Sequence, residues 1–134
     1  MKYILMMNAP KAGFEIYRAW SENDVQAHFS VLQTINSELT ESGEFVATEG
    51  LAWPDQAKIV RAGSDGRPIT DGVFPESKEF LAGYWMIDVE SPERAYEIAA
   101  RISAARGPGG APTDMPIEVR QIMHKRQPSE LPVS

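Results

Sequence analysis

The stretch Asp71-Gly72-Val73-Phe74-Pro75-Glu76-Ser77-Lys78-Glu79-Phe80-Leu81-Ala82-Gly83-Tyr84 runs directly into Trp85-Met86-Ile87-Asp88-Val89. Asp71-Gly72 is a turn signal, and Gly72 suits a backbone shape that a side chain would hinder. Pro75 opens a short helical turn, with Glu76 at its positive end. Gly83 then hands the chain to a strand. Trp85, Ile87 and Val89 fall on one face of it; Tyr84, Met86 and Asp88 fall on the other. A strand apolar on both faces is expected to be covered on both, so this one is read as central.

Working outward, Tyr3-Ile4-Leu5-Met6-Met7 has the same two-sided character and reads as a second central strand. Residues 8–20 contain Pro10, Gly13, Phe14, Ile16, Tyr17 and Trp20, and read as a loop that packs on the core or walls a pocket. Ser21 to Gly43 is a helix. Ser21 caps it, Asp24 completes a variant capping box, and Gly43 ends it. Its stripe is Val25, Phe29, Leu32, Asn36 and Leu39, at spacings of four, three, four and three, with Ile35 beside them.

Phe45 to Leu51 and Ala57 to Arg61 read as strands. Ser64-Asp65-Gly66-Arg67 turns a hairpin into the short arm Pro68-Ile69-Thr70, with Pro68 marking an edge. Ser91 and Pro92 start a second helix with a stripe of Ala95, Ile98, Ala99 and Ile102. Gly107-Pro108-Gly109-Gly110 breaks it and reads as a flexible connector: it follows a helix rather than preceding one, so it lacks the amides of a phosphate cradle. Ile117 to Met123 is the last strand. Residues 1–124 read as one domain and residues 125–134 as a tail.

Without the hairpin arm the order is β-α-β-β-α-β, a ferredoxin-like (split βαβ) α+β subunit with an extra β-hairpin. Two helices cover only one face of its sheet. The simplest cover for the second face is another copy of the chain, giving a homodimer.

The net charge of −6, from 13 basic and 19 acidic residues, argues against nucleic-acid or anionic-membrane binding. There are no cysteines, which removes disulfides, thiolate metal sites and thiol nucleophiles. His28 and His124 are far apart, and no metal or cofactor is expected. The apolar start is too short for a signal segment or a membrane span, so a cytoplasmic protein is expected.

These residues are similar to the DGPF-type branch of the YCII-related proteins. The pattern Asp-Gly-Pro-Phe-x-Glu-x-Lys-Glu stands here as Asp71-Gly72-Val73-Phe74-Pro75-Glu76-Ser77-Lys78-Glu79, followed by Gly83-Tyr84. Met1 to Leu5, Gly43-Glu44-Phe45, Glu49-Gly50-Leu51 and Ile117-Glu118-Val119-Arg120 also fit, so the resemblance covers about residues 1–123. It implies a dimeric α/β-barrel. Val73 departs from it, since proline is usual there. A related branch of shorter proteins is associated with catalysis through a histidine and an aspartate, and one relative resembles an enzyme that dechlorinates an aromatic ring. His28 lies on the helix where that branch has its histidine, about a turn further from Gly43.

Each candidate residue has a functional and a structural reading. His28 is a general acid or base, or a boundary histidine bonded to backbone. Asp71 is its catalytic partner, or a turn aspartate. Lys78 binds an anionic group, or is a solvated charge. Tyr84, Asp88 and Arg120, with Glu118, face a cleft and bind a polar ligand, or form ion pairs at a dimer interface. Two functions follow. One is a cofactor-independent enzyme doing acid-base chemistry on a small polar or aromatic molecule. The other is a noncatalytic dimeric module that binds a small molecule or a protein. If the 71–84 segment staples the dimer, Asp71→Ala lowers dimer stability. Normal dimerisation with an unchanged Tm, measured by sedimentation and thermal unfolding, would contradict that role.

Overall fold

The two strands read as apolar on both faces lie side by side in the middle of the sheet. In the computed structural model, which describes residues 1–72 and 79–123, the order is β1 (Lys2–Pro10), α1 (Lys11–Arg18), α2 (Glu22–Ser42), β2 (Phe45–Gly50), β3 (Lys58–Ala62), β4 (Pro68–Gly72), β5 (Glu79–Asp88), α3 (Pro92–Ser103) and β6 (Ile117–Gln121). The main sheet has four strands in the order β2-β5-β1-β6, and every neighbouring pair is antiparallel. Hence β1 and β2 are joined through α2 but separated by β5, while β5 and β6 are joined through α3 but separated by β1. β3 and β4 form a separate two-stranded hairpin. The chain is an α+β protein.

Alternation along the central strands sorts their side chains. Tyr3, Leu5, Trp85 and Ile87 point to one side, where they bury against Leu32, Ile35 and Leu39 of α2 and Ala95, Ile98 and Ile102 of α3. On the other side, Ile4 stands opposite Met86 and Met6 opposite Tyr84. These four are only half-buried. Both long helices commit their buried stripes to the first side.

The helix ends follow the sequence signals. Ser21 Oγ accepts from the Asp24 amide at 3.1 Å, and Gly43 closes α2 in the left-handed region at φ 79°. Ser91 Oγ accepts from the Arg94 amide at 3.2 Å, with Pro92 in the first turn of α3. The buried stripe of α2 differs from the expected one in its first turns: His28 is buried, whereas Phe29 is 49% exposed.

Residues 8–20 also differ from the loop reading. β1 continues to Pro10 and α1 starts at once. Gly13, which looks like a breaker, lies where α1 crosses its own incoming strand, and a Cβ there would sit 3.3 Å from the Ala9 Cβ. The returning hairpin arm is longer than expected, running to Gly72, and the first arm starts one residue later. The turn does use Gly66 at φ 82°, with Asp65 Oδ1 accepting from the Arg67 amide at 3.0 Å. The 73–78 part of the opening motif and the tail lie outside the described residues.

One ion pair invisible in the sequence ties α3 to the start of β2. Arg94 Nε and Nη2 donate to the two carboxylate oxygens of Glu44, each at 2.9 Å, and Ser42 Oγ adds a third bond to Glu44 at 2.7 Å. The hydrogen bonds from Arg94 hold the Glu44 carboxyl below its ordinary value of 4.5. The same bonds raise the Arg94 guanidinium above its ordinary value. A depressed carboxyl stabilises the fold fully above the ordinary value, and the contribution is lost as pH falls through the folded one. Glu44→Gln is therefore expected to lower stability by about 1–2 kcal/mol at neutral pH and to flatten the loss of Tm below pH 4.5. Thermal unfolding against pH measures both; an acid limb as steep as the parent's would remove this pair from the account.

Candidate functional site

A cavity of about 480 Å³ opens between α1, α2 and the end of the sheet where β5 starts. That is the size of a small-molecule site. Two irregularities shape the strand beside it. β1 and β5 shift register between Met7 and Asn8, and β2 and β5 shift between Phe45 and Ala47. Such bulges re-aim a strand. Between them Gly83 lets β2 approach closely, since a Cβ there would lie 2.9 Å from the Glu49 carbonyl oxygen.

Aromatic rings make the walls. α1 contributes Phe14 and Tyr17, and Trp20 follows its end. The segment after β2 contributes Trp53. Tyr17 lies 4.9 Å from Trp20 and 6.0 Å from Trp53, and Phe14 meets Trp53 edge-on at 6.0 Å. Arg18 stacks 4.2 Å from the centre of the Trp53 ring and reaches Asp55 at 3.8 Å. Burial pushes the Tyr17 phenol above its ordinary value, so it stays protonated at neutral pH.

His28 stands at the inner end of this row. It is 7% exposed, lines the cavity, and meets Trp20 edge-on at 5.3 Å. Its Nδ1 lies 2.9 Å from the Arg106 carbonyl oxygen. A carbonyl only accepts, so Nδ1 carries the hydrogen. In the neutral ring Nε2 is then the acceptor. Among the described residues no buried side-chain nitrogen or oxygen lacks a partner. Nε2 has no hydrogen-bond partner among those residues, so it retains accessible surface. The imidazole is thus held by one nitrogen and open at the other.

The segment holding that carbonyl is the glycine-rich stretch read as a flexible connector. It is a built turn. Gly107 N–H donates to Ala111 O at 2.7 Å, Arg106 bridges to Pro112, and Thr113 N–H donates to Ala105 O at 3.1 Å. Gly109 and Gly110 take left-handed φ values of 69° and 79°, which glycine allows without strain. Gly107 also seats the Trp20 ring, whose nearest atom would be 3.1 Å from an added Cβ.

Asn36, two turns beyond His28 on α2, completes the polar lining. Its Oδ1 accepts from Trp85 Nε1–H at 2.9 Å, which leaves the amide Nδ2 to donate elsewhere. Thr48 Oγ1 donates to Tyr84 O at 2.9 Å, and Thr113 Oγ1 donates to Ser103 O at 2.9 Å. No group of three or more histidine, aspartate or glutamate side chains among the described residues is placed to hold a metal ion.

Asp71, Asp88, Tyr84 and Arg120 do not line this cavity. Asp71 is on the exposed β4 arm, 3.6 Å from Arg61 across the hairpin. The group that orients His28 is therefore the Arg106 carbonyl, and neither Asp71 nor Asp88 lines the cavity. Asp88 binds the Met1 ammonium at 3.0 Å. Tyr84 and Arg120 project from the opposite side of the sheet, in register with Met6 and Ile4 respectively. Lys78 lies outside the described residues. The residues sequence reading missed are Arg106, which acts through its backbone, and Asn36. The aromatic density of 14–20 was the signal for the wall.

The family model for the YCII-related domain matches residues 1–119. The chain belongs to the YCII-related family. It is also similar to an uncharacterised protein of Rhizobium meliloti (strain 1021), 28% identical over 114 residues, which cover 85% of this chain and 87% of that one. Among the described residues no helix is long and apolar enough to cross a membrane.

Gly107→Ala is expected to push against the Trp20 ring and the Thr113 methyl, 2.9 Å away. The cost is about 1–3 kcal/mol, with altered Trp20 fluorescence. Unchanged emission and Tm would mean that Gly107 does not seat the ring.

Proposed function

We propose that this is a DGPF-branch protein that binds a small ring-containing molecule in the cavity on α2 and moves a proton on it through His28 Nε2, without a cofactor. The observation that carries the reading is the state of His28: buried among aromatic rings, fixed through Nδ1 by a backbone carbonyl, and open through Nε2 to a cavity of about 480 Å³. In the neutral ring that nitrogen takes a proton from a bound O–H, N–H or acidified C–H; as imidazolium it returns it. The aromatic walls exclude water and stack the ligand, and Arg106 keeps the ring from turning as its charge changes.

The subunit fits the ferredoxin-like (split βαβ) class, supported by the order β2-β5-β1-β6 with one βαβ unit interleaved in the other. Two such subunits pair sheet to sheet as a dimeric α/β-barrel. The support is the half-buried patch of Ile4, Met6, Tyr84 and Met86 on the side that α2 and α3 leave uncovered. Asp88 and Arg120 then belong to the rim of that interface rather than to the ligand. The protein works in the cytoplasm.

The second reading, a binding module without turnover, is favoured by one fact: no carboxylate contacts the imidazole among the described residues, so the pair often found beside a catalytic histidine is missing. A ring-compound screen by tryptophan quenching, followed by product analysis on each binder, separates the two. The enzymatic reading expects turnover that falls about 100-fold or more in His28→Ala, with the ligand still bound and the fold intact. Equal turnover in that variant would end it, and binders that are never converted would favour the module.

A further inference from the structure

The cavity is lined by polar groups of assignable role and by no lysine or arginine among the described residues, and this constrains the ligand. This inference rests on the reading of the cavity as a ligand site and names the class of molecule it takes. Fixed donors and acceptors can be assigned because their other partners are known. His28 Nδ1–H is used by Arg106, which leaves Nε2 as an acceptor in the neutral ring. The Thr48 and Thr113 hydroxyl hydrogens are used by Tyr84 O and Ser103 O, which leaves only lone pairs on those oxygens. Glu49 at the rim accepts as well. Among the described lining side chains, three fixed donors stand against these: the Asn36 amide, whose oxygen is held by Trp85, and the indole N–H groups of Trp20 and Trp53. Tyr17 and Gln33 can serve either way. No lysine or arginine is among the described residues that line the cavity.

An anionic ligand would find no lysine or arginine among the described lining residues to neutralise its charge. Buried without a cation, it would lose its hydration and gain little. A ligand with an O–H or N–H finds several acceptors. The spacing adds a length. His28 and Asn36 are eight residues apart on α2, which is about 12 Å along a helix axis. Their side chains lean the same way. Two terminal hydrogen bonds of about 2.9 Å each leave about 6 Å of that axial distance between the ligand's end atoms, of the order of the span across a para-substituted ring. The aromatic walls favour a flat body.

We infer that the site takes an uncharged planar ring that donates a hydrogen bond to His28 Nε2 at one end and accepts one from the Asn36 amide at the other, and that it discriminates against carboxylates. Para-hydroxyacetophenone carries both groups at about that spacing. Its methyl ether lacks the donor, and para-hydroxybenzoate replaces the ketone with an anion. Calorimetric titration of the wild-type chain with the three probes, at a pH where the phenols are neutral, reads the preference without any variant. The hydroxy ketone is expected to bind about 10-fold or more tighter than either relative. Asn36→Asp keeps an acceptor for Trp85 but removes the donor, and is expected to cost the hydroxy ketone about 10-fold; its Tm shows whether the variant folds. Equal binding of all three probes would overturn the inference while leaving a ligand site in place. Tightest binding of the benzoate would overturn it too. Binding of none would sink both the inference and the reading beneath it.

Discussion

The hydrogen bond between His28 Nδ1 and the Arg106 carbonyl joins two segments 78 residues apart, and the cavity depends on it. It ties the first turns of α2 to the turn after α3. One side of that turn supplies the carbonyl; the other, through Gly107, seats Trp20. From Trp20 the contacts run through Tyr17 and Trp53 to Phe14, so the whole aromatic wall leans on one short segment. The bond also decides chemistry. A backbone carbonyl fixes which nitrogen holds the hydrogen without adding a charge, unlike a carboxylate partner, which would stabilise the imidazolium.

The sheet divides the rest of the molecule into two sides with separate tasks. α2 and α3 bury one side, and the His28 cavity opens at the end where β1 and β5 shift register. The other side keeps its methionines and Tyr84 half-covered, with charges along its margin. This division follows from the alternation of β1 and β5. Residues one position apart go to different sides, so Trp85 supports Asn36 beneath the cavity while Tyr84 faces away from it.

The central pair of strands, the caps of both long helices and the α+β class could all be read in advance, because they rest on local alternation and on residues such as Ser21, Gly43, Ser91 and Pro92. The site was legible in part. His28 stood out as a rare titratable group beside an apolar stripe, and the aromatics of 14–20 pointed to a wall. What could not be read was anything carried by the backbone across long distances. The Arg106 carbonyl has no signature in residue identity. The glycine-rich stretch looked mobile because its stabilising bonds are main-chain contacts within the turn. α1 was hidden because glycine and proline weaken a local helix signal, and here close passage over Ala9 rewards that glycine. Asp71 could be paired with His28 on paper only because sequence carries no measure of which element a carboxylate will face.

The most direct test is the protonation state of the His28 ring, read by long-range proton–nitrogen NMR correlation on nitrogen-15-labelled protein at a pH where the ring is neutral. The account predicts hydrogen on Nδ1 and a bare Nε2 whose resonance moves when a ring ligand that donates a hydrogen bond enters the cavity. Hydrogen on Nε2, with Nδ1 bare, would contradict the bond to Arg106 and the site built upon it.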